Sequence, residues 1–217
     1  MGNVNSFITL ASANGVPLDT LVLVLILPII VTMIAFFRQV IGIKAFGIYT
    51  PAIITFAFLA TNDIKYGITI FVTVIVVGTA TRFFLKRARL LYLPRVAIMI
   101  TIVGFSILLL LFTGGRWNRT GLASVSIFPI LIMITLVEKF IAVQIEKGNR
   151  TAVILSLETL FISIIGYYIA SWPLLIKMIL NYPWLSLLTI PVNIFLGKWT
   201  GLRLSEYFRF RQIIKPR

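Results

Sequence analysis

Neither cysteine nor histidine occurs among the 217 residues, and acidic side chains number six against twenty Lys and Arg. Without cysteine there are no disulfides, thiolate metal sites or thiol nucleophiles. Without histidine the usual imidazole base and the commonest transition-metal ligand are gone. The familiar nucleophile–base constellations cannot be assembled from what is left. No GxxxxGK[ST] phosphate loop is present, so ATP hydrolysis by that fold is not expected. Five of the carboxylates, Asp19, Asp63, Glu138, Glu146 and Glu206, fall at the expected edges of apolar segments. Glu138 and Glu146 are the one pair that could share Mg²⁺. These absences together predict a chain that is not an enzyme and carries no cofactor or metal. The first 17 residues hold no Lys or Arg, so the basic start of a signal peptide is missing and the first apolar segment must direct insertion itself.

What the chain has in abundance is apolar length. Hydrophobic residues make up 59% and the mean hydropathy is +1.05, well above the roughly 45–50% apolar content of a soluble domain. A helix needs about 20 residues to cross a hydrocarbon layer. Seven segments approach that length: Leu18–Phe37, Ile41–Ala60, Tyr66–Leu85, Leu93–Phe112, Gly121–Val137, Thr151–Trp172 and Pro183–Trp199. The fifth and seventh are short, which local thinning or snorkelling of Lys139 and Lys198 can accommodate. Tyr92, Trp117, Trp172, Tyr182, Trp184 and Trp199 lie near segment ends, where amphipathic rings favour the interface.

The basic residues sort into alternate loops. Segments 38–44, 82–95, 138–151 and 198–217 carry 16 of the 20 Lys and Arg; segments 1–17, 61–65, 113–120 and 172–182 carry four. Cytoplasmic loops hold that excess. The expectation is an all-α membrane protein of seven helices: a short extracytoplasmic N-terminus (1–17), a transmembrane domain (18–200) and a basic cytoplasmic interfacial tail (201–217). A re-entrant second segment would reduce the count to six and put both termini on one side, which the charge split opposes. The net charge of +14 is spread along membrane edges, so anionic lipid headgroups, and not nucleic acid, are the expected partner. Arg82, Lys86, Arg89 and Arg95 form the densest part of that inner face. In the tail, Arg203, Arg209 and Arg211 surround Leu204, Tyr207 and Phe208, a pattern suited to an interfacial helix.

Two elements repeat. The run Phe46–Thr55, with Gly47, Thr50, Pro51 and Thr55, reads like Val125–Ile132, with Ser126 and Pro129 and with Ser124 just before it. They sit in the second and fifth segments, which run in opposite directions, as in a 3+3 inverted repeat plus one helix. Prolines at matching mid-span positions would free carbonyls for a midplane cavity lined by Gly47, Thr50, Pro51, Thr55, Ser124, Ser126 and Pro129. The alternative is two merely kinked, packed helices. Glu158, seven residues into the sixth segment, is the one carboxylate expected well inside the layer. It must be paired, protonated or wet, with Lys139, Arg150 and Arg82 as candidate partners.

Several runs resemble a known family. Residues Arg38–Pro51, Arg82-Phe83 with Leu93-Pro94-Arg95, Phe128-Pro129 with Thr135 and Glu138-Lys139, and the closing Gly201–Arg211 are similar, in that order, to the bacterial seven-helix membrane domain usually fused to an inactive transglutaminase-like domain. The resemblance covers roughly residues 18–211 and implies a multi-pass protein of the bacterial cytoplasmic (inner) membrane. Only about 17 residues precede the helices, so the resemblance implies either a stand-alone version or a separate transglutaminase-like chain. It also implies a cytoplasmic ATP-grasp, ligase-like partner. A fainter likeness, resting on Gly42, Gly47, Pro51 and Pro129, is to the membrane subunit of poly-γ-glutamate synthesis and export. The expected function is a non-catalytic membrane subunit of a peptide or acidic-polymer synthesis and export system. The alternatives are a small-solute transporter or channel, or an anchor or sensor for an extracytoplasmic partner.

The charge split predicts an outside N-terminus and a cytoplasmic C-terminus. A fluorescent reporter that folds only in the cytoplasm, fused after Arg217, should be bright, and alkaline phosphatase at the same place should be inactive. An active phosphatase there would overturn the orientation.

Overall fold

The computed structural model describes residues 13–61, 63–85, 91–116 and 126–198. The order is α1 (Leu18–Phe36), prolonged by a π-helical turn (Phe37–Ile41), then α2 (Tyr49–Leu59), α3 (Ile64–Leu85), α4 (Tyr92–Arg116), α5 (Ile127–Lys147), α6 (Asn149–Ala170), α7 (Pro173–Asn181), a 3₁₀ stretch (Pro183–Leu188) and α8 (Thr189–Gly197). The chain divides into two compact units, residues 1–44 with 168–217, and residues 45–167.

Five helices are long and apolar enough to cross a membrane: Leu18–Ile41, Ile64–Leu85, Tyr92–Thr113, Ile127–Lys147 and Asn149–Ala170. A sixth span exists if Pro173–Asn181 and Pro183–Gly197, bent by 102° at their break, count as one. The fold class is therefore all-α and membrane-embedded, with three departures from the segments read off the sequence. The second segment keeps only the 11 residues of α2 as helix, about 16 Å long, half of what a crossing requires. The fifth does not end at Val137: α5 continues to Lys147, and the stretch 138–151 is helix on both sides of Gly148. The seventh is preceded by a helix where an outer loop was expected.

The prolines account for much of this. Pro51, Pro94, Pro129 and Pro191 are each the third residue of their helix. The first four N–H groups of a helix have no intrahelical acceptor, so a proline there forfeits nothing. Pro129 is thus no mid-span break; it opens α5. Pro28 alone stands inside a described helix. Near it, in the first unit, the Ser186 hydroxyl donates to the Leu25 carbonyl at 2.8 Å and Thr32 Oγ1 to the Pro28 carbonyl at 2.7 Å. Asn193 Nδ2 in turn donates to Thr32 Oγ1 (2.7 Å) and to the Thr189 carbonyl (2.9 Å). Side-chain hydroxyls and amides re-satisfy the carbonyls that a membrane proline disturbs.

In the second unit one core runs through four helices. Ile54, Ala57 and Phe58 of α2 meet Ile70, Phe71 and Val74 of α3, Val96, Met99, Val103 and Ile107 of α4, and Met133, Leu136, Val137 and Ile141 of α5. These positions recur at helical spacing, whereas Phe105, Leu109 and Phe112 on the other side of α4 are exposed and apolar, as a lipid face would be. Since lipid is as apolar as the core, packing rather than burial from water selects the contacts. Helix α6 meets α2 and the residues leading into it through small residues: Thr159 lies against Phe46, Ser163 against Pro51 and Gly166 against Thr55. Gly166 is obligatory at this spot, because a Cβ there would stand 2.5 Å from Thr55 Oγ1 and 3.0 Å from its Cγ2.

Gly166→Ala should lower stability by about 1–3 kcal/mol through overpacking. Removing the obstacle in Gly166→Ala/Thr55→Ala should return most of that loss, although the Thr55 hydrogen bonds go with it. Thermal melts in detergent read both; a Gly166→Ala protein as stable as the parent would show that α2 and α6 do not approach this closely.

Candidate functional site

The chain enters α2 through a non-helical lead in which Gly47 has φ +80° and Ala45, a residue with a Cβ, has φ +44°. Left-handed backbone at a non-glycine residue is strained. What holds it is α6. The Ala45 N–H donates to Glu158 Oε2 at 2.9 Å and the Phe46 N–H to Thr159 Oγ1 at 3.0 Å. One turn on, the Pro51 carbonyl accepts from Thr55 Oγ1 (2.8 Å) and from Ser163 Oγ (3.0 Å). A carboxylate accepting from a backbone N–H makes one of the stronger hydrogen bonds. Glu158 is the tenth residue of α6, about 14 Å from that helix's start, so the lead into α2 is satisfied from the middle of a neighbouring span.

The opposite side of α2 is open. Phe46, Tyr49, Thr50, Ile53 and Ile54 face Ile132, Thr135, Leu136, Glu138 and Lys139 of α5 across a cavity of about 310 Å³. Buried Ile54 and Leu136 form its floor; Tyr49, Ile53, Thr135, Glu138 and Lys139 are exposed along its rim. That is near the lower end of the volume of small-ligand sites, and the mixture of apolar wall with a few polar groups is typical of them. Thr135 gives its proton to the Ile132 carbonyl (2.7 Å), which leaves its oxygen as an acceptor. Among the described residues no group of three His, Cys, Asp or Glu side chains could hold a metal. Glu138 and Glu146, eight residues apart on one helix, are separated by about 12 Å along its axis and cannot share an ion directly.

The expected cavity residues therefore separate. Thr50 lines the groove. Pro51 and Thr55 are buried on the α6 side, and Gly47 supplies the turn into α2. Ser126 is the exposed residue before α5 and makes no capping bond, and Pro129 is buried in that helix's first turn. Ser124 lies outside the described residues. Helices α2 and α5 do pack on one another, but the shared space lies further along α5 than Pro129. Of the basic face, Arg82 Nη1 donates to the Gln144 carbonyl and to Asn149 Oδ1, both at 2.7 Å, and Arg95 sits in the first turn of α4. Lys86, Arg89, Arg203, Arg209 and Arg211 fall outside the described residues. Arg82 is thus turned to the α5–α6 junction, and Lys139 lines the groove.

Five residues take places that the sequence alone does not signal. Thr159 and Ser163 look like ordinary helix hydroxyls until the strained lead is known. Glu138 and Lys139 were placed at a membrane edge because charges usually mark one; the continuous α5 puts Glu138 twelfth of 21 residues, at least about 14 Å from either helix end. Gln144, fully buried with neither amide atom partnered among the described residues, stood in what was expected to be a loop.

Residues 6–214 match the model of a family described as seven transmembrane helices usually fused to an inactive transglutaminase. Neither a curated protein nor a solved structure gives a match.

Glu158→Ala should cost about 1–3 kcal/mol, since it leaves the Ala45 N–H without its acceptor. Glu158→Gln keeps a carbonyl oxygen in place and should fall between the two. Melting of the three proteins in one detergent checks the order; Glu158→Ala melting with the parent would remove the carboxylate from its assigned role.

Proposed function

The chain belongs to the family of seven-transmembrane-helix domains usually fused to an inactive transglutaminase, and from that premise we propose that it is a non-catalytic membrane subunit of a peptide or acidic-polymer synthesis and export system in the bacterial cytoplasmic membrane. The observation that carries the reading is the family's usual fusion partner. A transglutaminase fold that has lost its activity serves binding, and a membrane domain attached to one is suited to organising peptide chemistry done by others. The residue inventory agrees, with neither His nor Cys to build a catalytic centre. The inner face, rich in Lys and Arg, suits three acidic partners: anionic headgroups, a cytoplasmic ATP-grasp, ligase-like protein, and the polymer it makes. A separate transglutaminase-like protein is the expected partner on the other side.

The groove favours a second reading, a carrier or channel for a small solute. Interrupted helices beside a polar space are where secondary transporters bind their substrates. Proline is the third residue of α2 and of α5, but equally of α4 and α8, so this reading rests on the groove and not on a repeat of that motif.

Purification in mild detergent, followed by identification of what co-purifies, separates the two readings. A ligase-type or transglutaminase-like protein should be retained. Removing residues 201–217, or changing Arg203, Arg209 and Arg211 to Ala, should abolish that retention while leaving the spans inserted. Solute uptake by liposomes containing this chain alone, with no protein partner retained, would favour the carrier instead.

A further inference from the structure

Glu138 and Lys139 are successive residues near the middle of α5, and both line the groove against α2. No ion pair engages either one among the described residues. An ionisable side chain so far from both ends of a membrane helix is costly, and it is kept where it faces a wet cavity or a ligand. Here there are two, of opposite sign, in one space of about 310 Å³. A structural ion pair would have turned them on each other; as neighbours on a helix they point about 100° apart, which spaces the charges across the groove instead. Across the groove from them stands the first turn of α2, with Thr50 in the lining, where the helix dipole favours an anionic group. The rest of the wall is Phe46, Ile53, Ile54, Ile132 and Leu136, with the Thr135 hydroxyl among them.

We propose that this groove binds a small zwitterion with an apolar substituent, its anionic group held by Lys139 and the first turn of α2 and its ammonium by Glu138. A single charge of either sign would leave one of the two residues uncompensated, so the pair selects for a ligand carrying both. The same chemistry has two sources, a free amino acid or the ammonium-phosphate headgroup of phosphatidylethanolamine. The proposal rests on reading the groove as a solute site, but it does not require passage across the membrane, so equilibrium binding tests it even where liposome uptake fails.

The test uses the full chain in nanodiscs of phosphatidylglycerol alone, with tritiated L-leucine as the probe. Leucine should bind, and N-acetyl-leucine (anion only) and leucinamide (cation only) should compete about ten-fold more weakly or worse, as loss of one charge-assisted contact predicts. Glu138→Gln should weaken leucine to the level of N-acetyl-leucine, and Lys139→Gln should weaken it to the level of leucinamide. Those two convergences are specific to charge recognition, and a variant that merely unfolded would lose all three ligands. The lipid source is read by native mass spectrometry of protein purified from mixed lipid. Phosphatidylethanolamine retained by the parent and lost from both variants, with no leucine binding, assigns the site to the headgroup. Binding of neither probe, binding unchanged in both variants, or a loss in only one of them overturns the proposal.

Discussion

Backbone that leaves a helix inside hydrocarbon must find its hydrogen bonds in protein, because lipid supplies none and each unsatisfied group costs several kcal/mol. The lead into α2 is where this chain meets that demand, and the second unit is arranged around the answer. Three side chains of one helix serve it in sequence: Glu158 the Ala45 N–H, Thr159 the Phe46 N–H, and Ser163 the Pro51 carbonyl. Their spacing keeps them on one face of α6, and Gly166 continues that face to where Thr55 needs the room. The small-residue stripe and the polar caps are therefore one device. The caps require close approach, and close approach requires residues without bulk.

Fixing α2 from one side decides what its other side can be. A full crossing helix would bury its whole length among neighbours. An 11-residue helix anchored by α6 presents its first turns to α5 without filling the space there, and the groove follows. The strained Ala45 belongs to the same geometry: a left-handed residue costs of the order of 1–2 kcal/mol, and the carboxylate contact at its N–H offsets it. Proline at the third position of α2 and α5 lets each helix start abruptly at no loss of hydrogen bonding.

The apolar segments and the interruption of the second were legible in the chain because length and Gly/Pro punctuation carry that information directly, whereas the seven spans read there stand as five helices of crossing length, or six with the bent pair, among the described residues. Glu158 was legible as a misplaced charge, but not the Ala45 N–H that it accepts from, because a backbone N–H has no sequence signature. Proline was ambiguous in principle, since the residue that kinks a span also opens one. Reading Pro129 as a kink moved the whole fifth helix toward the N-terminus. That shift hid Glu138, Lys139 and Gln144 in an expected loop. Periodicity could not correct it, because in a membrane helix both the lipid face and the packed face are apolar, as the two sides of α4 show. The dense basic loop around Lys86 and Arg89 and the arginines of the tail lie outside the described residues, so their part in the inner face rests on charge alone.

Glu138 and Glu158 make the division of labour concrete. They stand ten residues before and ten after Gly148, the same helix length from a shared turn. One carboxylate has a backbone N–H at 2.9 Å and closes a structural debt left by a broken helix. The other lines an open groove beside a lysine of opposite charge with no ion pair to settle it. A bundle that needed both only for stability would have satisfied both internally, since an uncompensated charge at this depth is a standing cost. The cost is carried on the side of α2 where the fold leaves space, and compensated on the side where it does not. Scaffold and site are thus assigned to opposite faces of one short helix.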